Sequence, residues 1–475
     1  MSNMLKFFID GAWVEPIGDD QADVINPATE QPVAKISLGS AEDVDAAVMA
    51  ARKAFAGWAE SSRSERLDLL SEILAQYRRR YDDIVEAITS EMGAPKTISH
   101  NVQAAMGVTH LEAAISALRD YHFVEERGTT QIRKEPIGVC GLITPWNWPI
   151  NQIVCKVAPA IATGCTMVLK PSEIAPLSSI VWAEIMDAAG TPAGVFNLVN
   201  GTGVEAGAAL SSHPEVDMVS FTGSTRAGVE VAKDAAPTIK RVQQELGGKS
   251  ANILLPDADF RGAVEHCVRA VVLNSGQNCN APTRLLVPAE KMELVEDMAS
   301  RMGGAINVGV PSGDVDMGPV VSDVQWQKIQ DLIANGIEEG ANLLCGGLGR
   351  PDGLNQGYYV KPTIFSRATN EMRIAREEIF GPVLTIIGYA DVDDAIAIAN
   401  DTPYGLASYV SGADRADIAK VAGKMRSGQV VVNGAAPDPM APFGGYKQSG
   451  NGREWGDYAF HDFLEVKAIL GFEGQ

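Results

Sequence analysis

Hydrophobic residues change their spacing along this chain, and each change marks a different kind of structure. Over residues 1–36 the apolar positions come in short groups broken by Gly, Pro and Asp, which predicts short strands and turns. Ser40 and Asp43 form a capping-box pattern ahead of a helix running to about Trp58. Leu67, Leu70, Ile73, Leu74 and Tyr77 then recur at helical spacing, and this second helical stretch is expected to end at Gly93 and Pro95.

From Gly138 onward, short apolar runs alternate with helical patterns. Strands are predicted at 139–144, 167–170, 195–199 and 218–222, with helices near 177–189, 203–211 and 225–236. Alternation resumes after Gly248. Strands are predicted at 251–255, 285–287, 383–389, 408–411 and 429–433, and helices near 260–274, 292–302, 324–335, 392–400 and 416–425. Such alternation predicts mostly parallel sheets covered on both faces, hence an α/β chain of two units meeting near Gly247-Gly248. No internal repeat, low-complexity tract or linker separates them, so they should pack closely.

Composition narrows the function classes. The 475 residues are 46% hydrophobic and 21% charged, as expected of a soluble globular protein of two or three domains. A formal charge of −21 repels phosphate backbones and anionic lipid, so neither nucleic acid nor a membrane is expected as a partner. The apolar patch at Leu5, Phe7, Phe8 and Ile9 is interrupted by Lys6 and lacks a signal-peptide core. The longest apolar region, 139–169, contains Pro145, Pro149, Pro159 and Lys156 and would make a poor membrane span. The six cysteines include no CxxC pair and no His at metal-ligand spacing. No metal site or disulfide framework is expected, and reduced thiols in the cytoplasm fit best.

Several clusters are candidates for chemistry. Phe221-Thr222-Gly223-Ser224-Thr225 is a strand running into a Gly-Ser turn that opens a helix, where free backbone N–H groups suit a phosphate; a plain strand-to-helix turn reads equally well. Gly203 and Gly207 mark another turn at a strand end, and Lys170-Pro171-Ser172-Glu173 a third, where ligands sit in parallel sheets. Gly276-Gln277-Asn278-Cys279-Asn280 surrounds a cysteine with residues foreign to a core, which marks an accessible thiol able to ionise. None of the six histidines lies near it in sequence, and Glu245 in Glu245-Leu246-Gly247-Gly248-Lys249 is the more plausible base. In Thr144-Pro145-Trp146-Asn147-Trp148-Pro149 two prolines stiffen the turn and fix Asn147, as an oxyanion donor must be fixed. Each of these, alone, is also an ordinary turn or loop. The segments 377–382 and 442–450 look like closely packed loops and reveal no chemistry unaided.

Taken together and in this order, the clusters resemble the aldehyde dehydrogenase superfamily, from Asn26-Pro27 to Gly452-Arg453-Glu454. The resemblance implies two Rossmann-like parallel-sheet α/β domains plus a small β oligomerisation element. It divides the chain into a NAD-binding domain (1–118 and 137–247), a catalytic domain (248–448) and oligomerisation strands (119–136 and 460–475), in a homodimer or homotetramer. It implies Cys279 as nucleophile, Glu245 as general base and Asn147 as oxyanion donor, with Lys156 and Glu454 relaying protons. Thr144, Trp146, Asn147, Lys170, Ser172, Glu173, Gly203, Gly207, Phe221, Gly223, Ser224, Leu246, Glu378 and Phe380 fall at cofactor positions. Glu173 favours the free ribose hydroxyl of NAD, while Lys170 leaves NADP open. Trp148, Cys155, Asn278, Asn280 and Phe443 fall at the substrate tunnel, which points to a medium-sized aldehyde, aromatic or carrying a polar group. Arg284 is expected to be structural. The activity implied is metal-free oxidation of an aldehyde to its acid through a Cys279 thioester. Three competitors remain: a coenzyme A-acylating relative, a non-catalytic binding protein on the same fold, and a cysteine hydrolase.

Overall fold

The computed structural model describes residues 3–472. The outermost positions of the expected terminal segments, 1–2 and 473–475, lie outside the described residues. Two large sheets organise the chain. The first has eight strands in the order Gly450–Asn451, Arg241–Glu245, Met218–Thr222, Val139–Ile143, Thr166–Lys170, Phe196–Leu198, Phe7–Ile9 and Ala12–Val14. The five from Arg241–Glu245 to Phe196–Leu198 pair in parallel, and the edge strands are antiparallel. Val139–Ile143, Thr166–Lys170 and Met218–Thr222 are buried at every position, because helices cover both faces of the sheet. One apolar core lies on each face, around Leu142, Ile161 and Trp182 on one side and Val44, Val168 and Val219 on the other.

The second sheet has seven strands in the order Asn342–Cys345, Thr363–Ser366, Val383–Tyr389, Arg284–Pro288, Ala251–Leu254, Ala407–Ser411 and Gln429–Val432, all parallel except the first pair. A separate antiparallel sheet joins Leu464–Leu470, Thr130–Pro136 and Val124–Arg127. Among the described residues no helix is long and apolar enough to cross a membrane.

Most predicted elements are present with ends displaced by a residue or two. Ser40 and Asp43 cap the helix Ala41–Trp58 reciprocally. The second helical stretch is instead two helices, Arg63–Arg79 and Tyr81–Met92. Arg80 leaves the helical region at φ −103 and ψ 15, so the apolar stripe passes through a break that spacing does not reveal. The helix read at 203–211 starts with a wide turn, Gly203–Gly207, before Ala208–Ser212. Unforeseen elements include the helix Ala104–Asp120 and the strands Arg241–Glu245, Asn342–Cys345 and Thr363–Ser366. Arg241–Glu245 is too polar to stand out as a buried strand; in the sheet, Gln243 accepts from the Ser220 hydroxyl at 2.6 Å and so satisfies its own burial.

Candidate active site

The first sheet ends its parallel strands at Ile143, Lys170, Leu198, Thr222 and Glu245, and the chain crosses to the second sheet immediately after Glu245. The crossing loop is glycine-rich because it is crowded. A Cβ on Gly247 would lie 2.2 Å from a Glu378 carboxylate oxygen, and one on Gly248 would lie 2.5 Å from the Cys279 carbonyl. The two sheets therefore meet at a seam, and a cleft of about 200 Å³ opens along it. Trp146, Asn147, Gly223, Ser224, Glu245, Leu246, Cys279, Glu378 and Phe380 all line this cleft. Residues spread over some 230 positions of sequence are brought to one cavity.

Cys279 follows three consecutive left-handed residues, Asn274 (φ 53), Ser275 (φ 57) and Gly276 (φ 76). Such backbone persists only where the surroundings enforce it. Here the enforcement is a polar network. Gln103 donates to Asn274 Oδ1 at 2.8 Å, and Asn274 donates to the Asn147 carbonyl at 2.8 Å. Gln277 donates to the Asn274 carbonyl at 3.0 Å and accepts from the Val321 N–H at 2.9 Å. Asn147 Nδ2 in turn donates to the Gln277 carbonyl at 3.0 Å. An amide nitrogen carries two hydrogens, so this bond orients the group and leaves the second N–H to serve a ligand.

Electrostatics in the cleft favour protonated acids. Burial pushes the half-buried Cys279 thiol up, and Glu378, Glu245 and Glu454 push the same way. Burial also holds Glu245 well above the usual carboxylate range; Glu454 adds to the rise, and Lys156 and Arg453 oppose it. Both Glu245 oxygens are enclosed without a partner among the described residues. The loop at Phe443 closes over this carboxylate, since a Cβ on Gly444 would lie 2.6 Å from Glu245 Oε1.

The other expected site residues lie outside the cleft lining. Lys156 and Glu454 form a buried ion pair, and Cys155 Sγ is 3.3 Å from Glu454 Oε2. Trp148 donates its indole N–H to the Asn278 side chain. The Asn280 carbonyl accepts from the Tyr409 hydroxyl at 2.8 Å. Phe443 stacks on Trp455, with ring centres 4.6 Å apart, and exchanges backbone hydrogen bonds with Glu454.

Around the strand ends, Lys170 Nζ pairs with Glu173 at 3.1 Å, and the Thr144 N–H donates to the Lys170 carbonyl. Ser172 Oγ accepts from the Ile174 N–H at 3.3 Å. Gly207 abuts the Lys170 side chain, Gly203 is unencumbered, and the Phe221 ring fills the space beside Gly223. Arg284 is spent on structure: its guanidinium serves the carbonyls of Lys249, Ile398 and Ala399 and the Asn370 side chain.

Three lining residues escaped the sequence reading: Gln152, Gln325 and Lys328. Ser322 caps the helix Asp323–Glu338, which puts Gln325 in its first turn. From there Gln325 donates to the carbonyls of Ile379 (3.1 Å) and Phe380 (2.8 Å) and holds that loop against the cleft. Phe380 itself is left-handed at φ 58 and meets Trp146 edge-on at 5.4 Å. Nothing in a lone polar residue on a helix signals such a role. Gln152 does sit one turn after Trp148, and its helical spacing from that residue was available.

The arrangement offers a phosphate-sized helix start at Gly223-Ser224, with Ser224 as the N-cap of Thr225–Ala235. It also offers a Lys–Glu pair at the neighbouring strand end and Glu378, which accepts from the Gly248 N–H at 2.9 Å. These features fit a dinucleotide laid across the strand ends with its reactive end toward Cys279.

Known proteins give an independent comparison. Residues 13–469 match the model of the aldehyde dehydrogenase family. The chain is 57% identical to 3-succinoylsemialdehyde-pyridine dehydrogenase of a Pseudomonas species, across 100% of both chains. It superposes with TM-score 0.99, at 51% identity, on a cysteine-to-alanine variant of aldehyde dehydrogenase C from Pseudomonas syringae in complex with NAD+ and octanal, covering 100% of this chain and 98% of that one. An aldehyde dehydrogenase of Mycobacterium tuberculosis in complex with NAD+ gives TM-score 0.95 at 40% identity, covering 98% of each chain.

Proposed function

The chain belongs to the aldehyde dehydrogenase family, and from that premise we propose that it oxidises an aldehyde to the carboxylic acid with NAD through a thioester on Cys279. The observation that carries the reading is the meeting of Cys279, Asn147 and Glu245 in one cleft between two sheets.

The Cys279 thiol gives up its proton to solvent, and the thiolate attacks the aldehyde carbon; the S–C bond forms as the carbonyl π pair moves onto oxygen and leaves an oxyanion. The free N–H of Asn147 and the backbone N–H of Cys279 receive that charge. The nicotinamide of NAD, when bound, supplies the acceptor for the hydride that leaves the same carbon. Glu245 then takes a proton from water, which attacks the thioester and frees the acid. A carboxylate whose proton affinity is raised by burial is the better base for that step. The Lys156–Glu454 pair, close enough to act on Glu245, carries the proton away.

Around the cofactor, the turn at Gly223-Ser224 serves the pyrophosphate. Lys170 and Glu173 hold the adenosine ribose, with Thr144, Ser172, Gly203, Gly207 and Phe221 forming the surrounding wall. Glu378 serves the nicotinamide ribose, and Trp146, Leu246 and Phe380 enclose the ring. Glu173 makes NAD the preferred form over NADP. The eight-stranded sheet is thus the core of the cofactor domain (1–118 and 137–247) and the seven-stranded sheet that of the catalytic domain (248–448). The segments 119–136 and 460–475, whose described part carries the three-stranded sheet, join protomers in a homodimer or homotetramer. Six free thiols suit a reducing cytoplasm.

The substrate is a medium-sized aldehyde with room for a ring or a second polar group. Both the pyridine-bearing semialdehyde in one relative's name and the octanal bound to a structural neighbour are of that size. Glu245 weighs against a coenzyme A-acylating enzyme, because transfer to a thiol needs no water-activating base.

Absorbance at 340 nm tests the proposal: aliphatic, aromatic and keto-bearing aldehydes are supplied with NAD, with NADP, and with added coenzyme A. NADH formation without coenzyme A is expected. Signal only with coenzyme A would overturn the hydrolytic reading.

A further inference from the structure

The cleft contains one buried amide to which no part of the reaction gives work. Gln152 lines the cavity beside Cys279 and Glu245, is 5% exposed, and has its Oε1 enclosed with no hydrogen-bond partner among the described residues. A buried amide oxygen without a partner is costly to keep, since its hydrogen bonds to water are lost on folding and not replaced. Apolar residues of similar size are the ordinary occupants of a wall that serves only to exclude water.

The position of Gln152 along the helix Pro149–Thr163 is informative. Trp148, Gln152 and Cys155 follow at intervals of four and three and share one face. Trp148 at one end of this row is tied to Asn278, the neighbour of Cys279. Cys155 at the other end reaches Glu454, which acts on both Cys279 and Glu245. Gln152 is thus bracketed by residues that each contact a neighbour of the reaction centre, Asn278 on one side and Glu454 on the other. The Gln152 N–H of the backbone donates to the Trp148 carbonyl at 2.9 Å, so the helical frame holds the side chain's origin fixed.

We propose that Gln152 determines substrate specificity: its amide hydrogen-bonds a second oxygen, such as a ketone, on an aldehyde held by Cys279. With Oε1 enclosed, the amide meets a ligand through its N–H, which donates to a ketone oxygen. A site built to bond a polar substrate group disfavours the analogue that lacks it, because the protein's own group is then left unpaired. The inference rests on the proposed aldehyde oxidation and adds the group that selects among aldehydes.

The test compares 4-oxooctanal with octanal in the wild type and in Gln152→Met, which keeps the volume and removes the hydrogen bonding. The wild type is expected to prefer 4-oxooctanal in kcat/KM. In Gln152→Met the ratio of the two kcat/KM values should fall by about tenfold or more, as loss of a matched hydrogen bond implies. A second readout needs no turnover. In Cys279→Ala, tryptophan fluorescence titrated with 4-oxooctanoate and octanoate should show a preference for the oxo acid that Gln152→Met removes. Equal changes for both compounds, or none, would reduce Gln152 to a solvated wall residue and overturn the inference alone. No NADH from either aldehyde in the wild type would overturn it together with the proposed function.

Discussion

Cys279 has three carboxylates as its charged neighbours, and all of them raise its thiol. Burial, with these carboxylates, biases the proposed nucleophile toward its protonated form. Cys279→Ala should therefore abolish NADH formation while NAD still binds, as read by fluorescence quenching; substantial residual turnover would remove the nucleophile assignment. Glu245→Gln should slow thioester hydrolysis more than hydride transfer, so a pre-steady-state burst of NADH survives while the steady rate falls. An unchanged steady rate would count against the base.

Lys249 gives a pH-dependent case. Its ammonium is buried without a partner among the described residues, and burial lowers its pKa from 10.5 to about 7, with Arg284 adding to the fall. Between those values the unfolded chain binds the proton and the folded one does not, so this group makes stability rise with pH. Relative to Lys249→Met, the wild type should gain stability between about pH 7 and pH 10 in thermal melts. Parallel melting temperatures across that range would exclude the shift.

Elements, rather than single residues, set the placement of Cys279, the proposed nucleophile. The helix Phe260–Val272 ends and the chain turns through Asn274, Ser275 and Gly276 before reaching Cys279. Gly276 is needed twice over: its φ is 76, and a Cβ would lie 2.1 Å from the backbone of Gly381. That contact couples the cysteine loop to the Glu378–Phe380 loop, which Gln325 holds from the opposite side. Gly276→Ala is expected to cost more than about 2 kcal/mol, read from denaturant midpoints, because a left-handed backbone and a backbone clash act together. It should also weaken NAD binding by moving Phe380. A stable variant with wild-type NAD affinity would show that the two loops are independent.

The whole molecule presents a third sheet, one face of which is left uncovered by the described residues. Along Leu464–Leu470, Val466 is 69% and Leu470 79% exposed. Apolar residues on an open sheet face seek a partner surface. Val466→Glu combined with Leu470→Glu should convert the proposed homo-oligomer to smaller species in light scattering after size-exclusion chromatography. A wild type that elutes as a monomer would refute the assembly.

Much of this was legible along the chain. Parallel strands buried on both faces must be short apolar runs, so 139–144, 218–222 and 383–389 announced themselves, and reciprocal capping announced the helix after Ser40. The clusters around Asn147, Glu245 and Cys279 were visible because turns and close approaches demand glycine, proline and amides at fixed offsets. Polar strands such as Arg241–Glu245 were not legible, since their burial is balanced by partners far away in sequence. The break at Arg80 was hidden by an apolar stripe that continues across it. Gln152, Gln325 and Lys328 were hidden for the same reason as the polar strand: what a polar side chain does depends on what faces it. Local chemistry fixes which segments turn, cap and strand. Only the packing of two sheets across the Gly247-Gly248 crossing decides which of those turns share a cavity, because that cavity is made of contacts between residues more than a hundred positions apart.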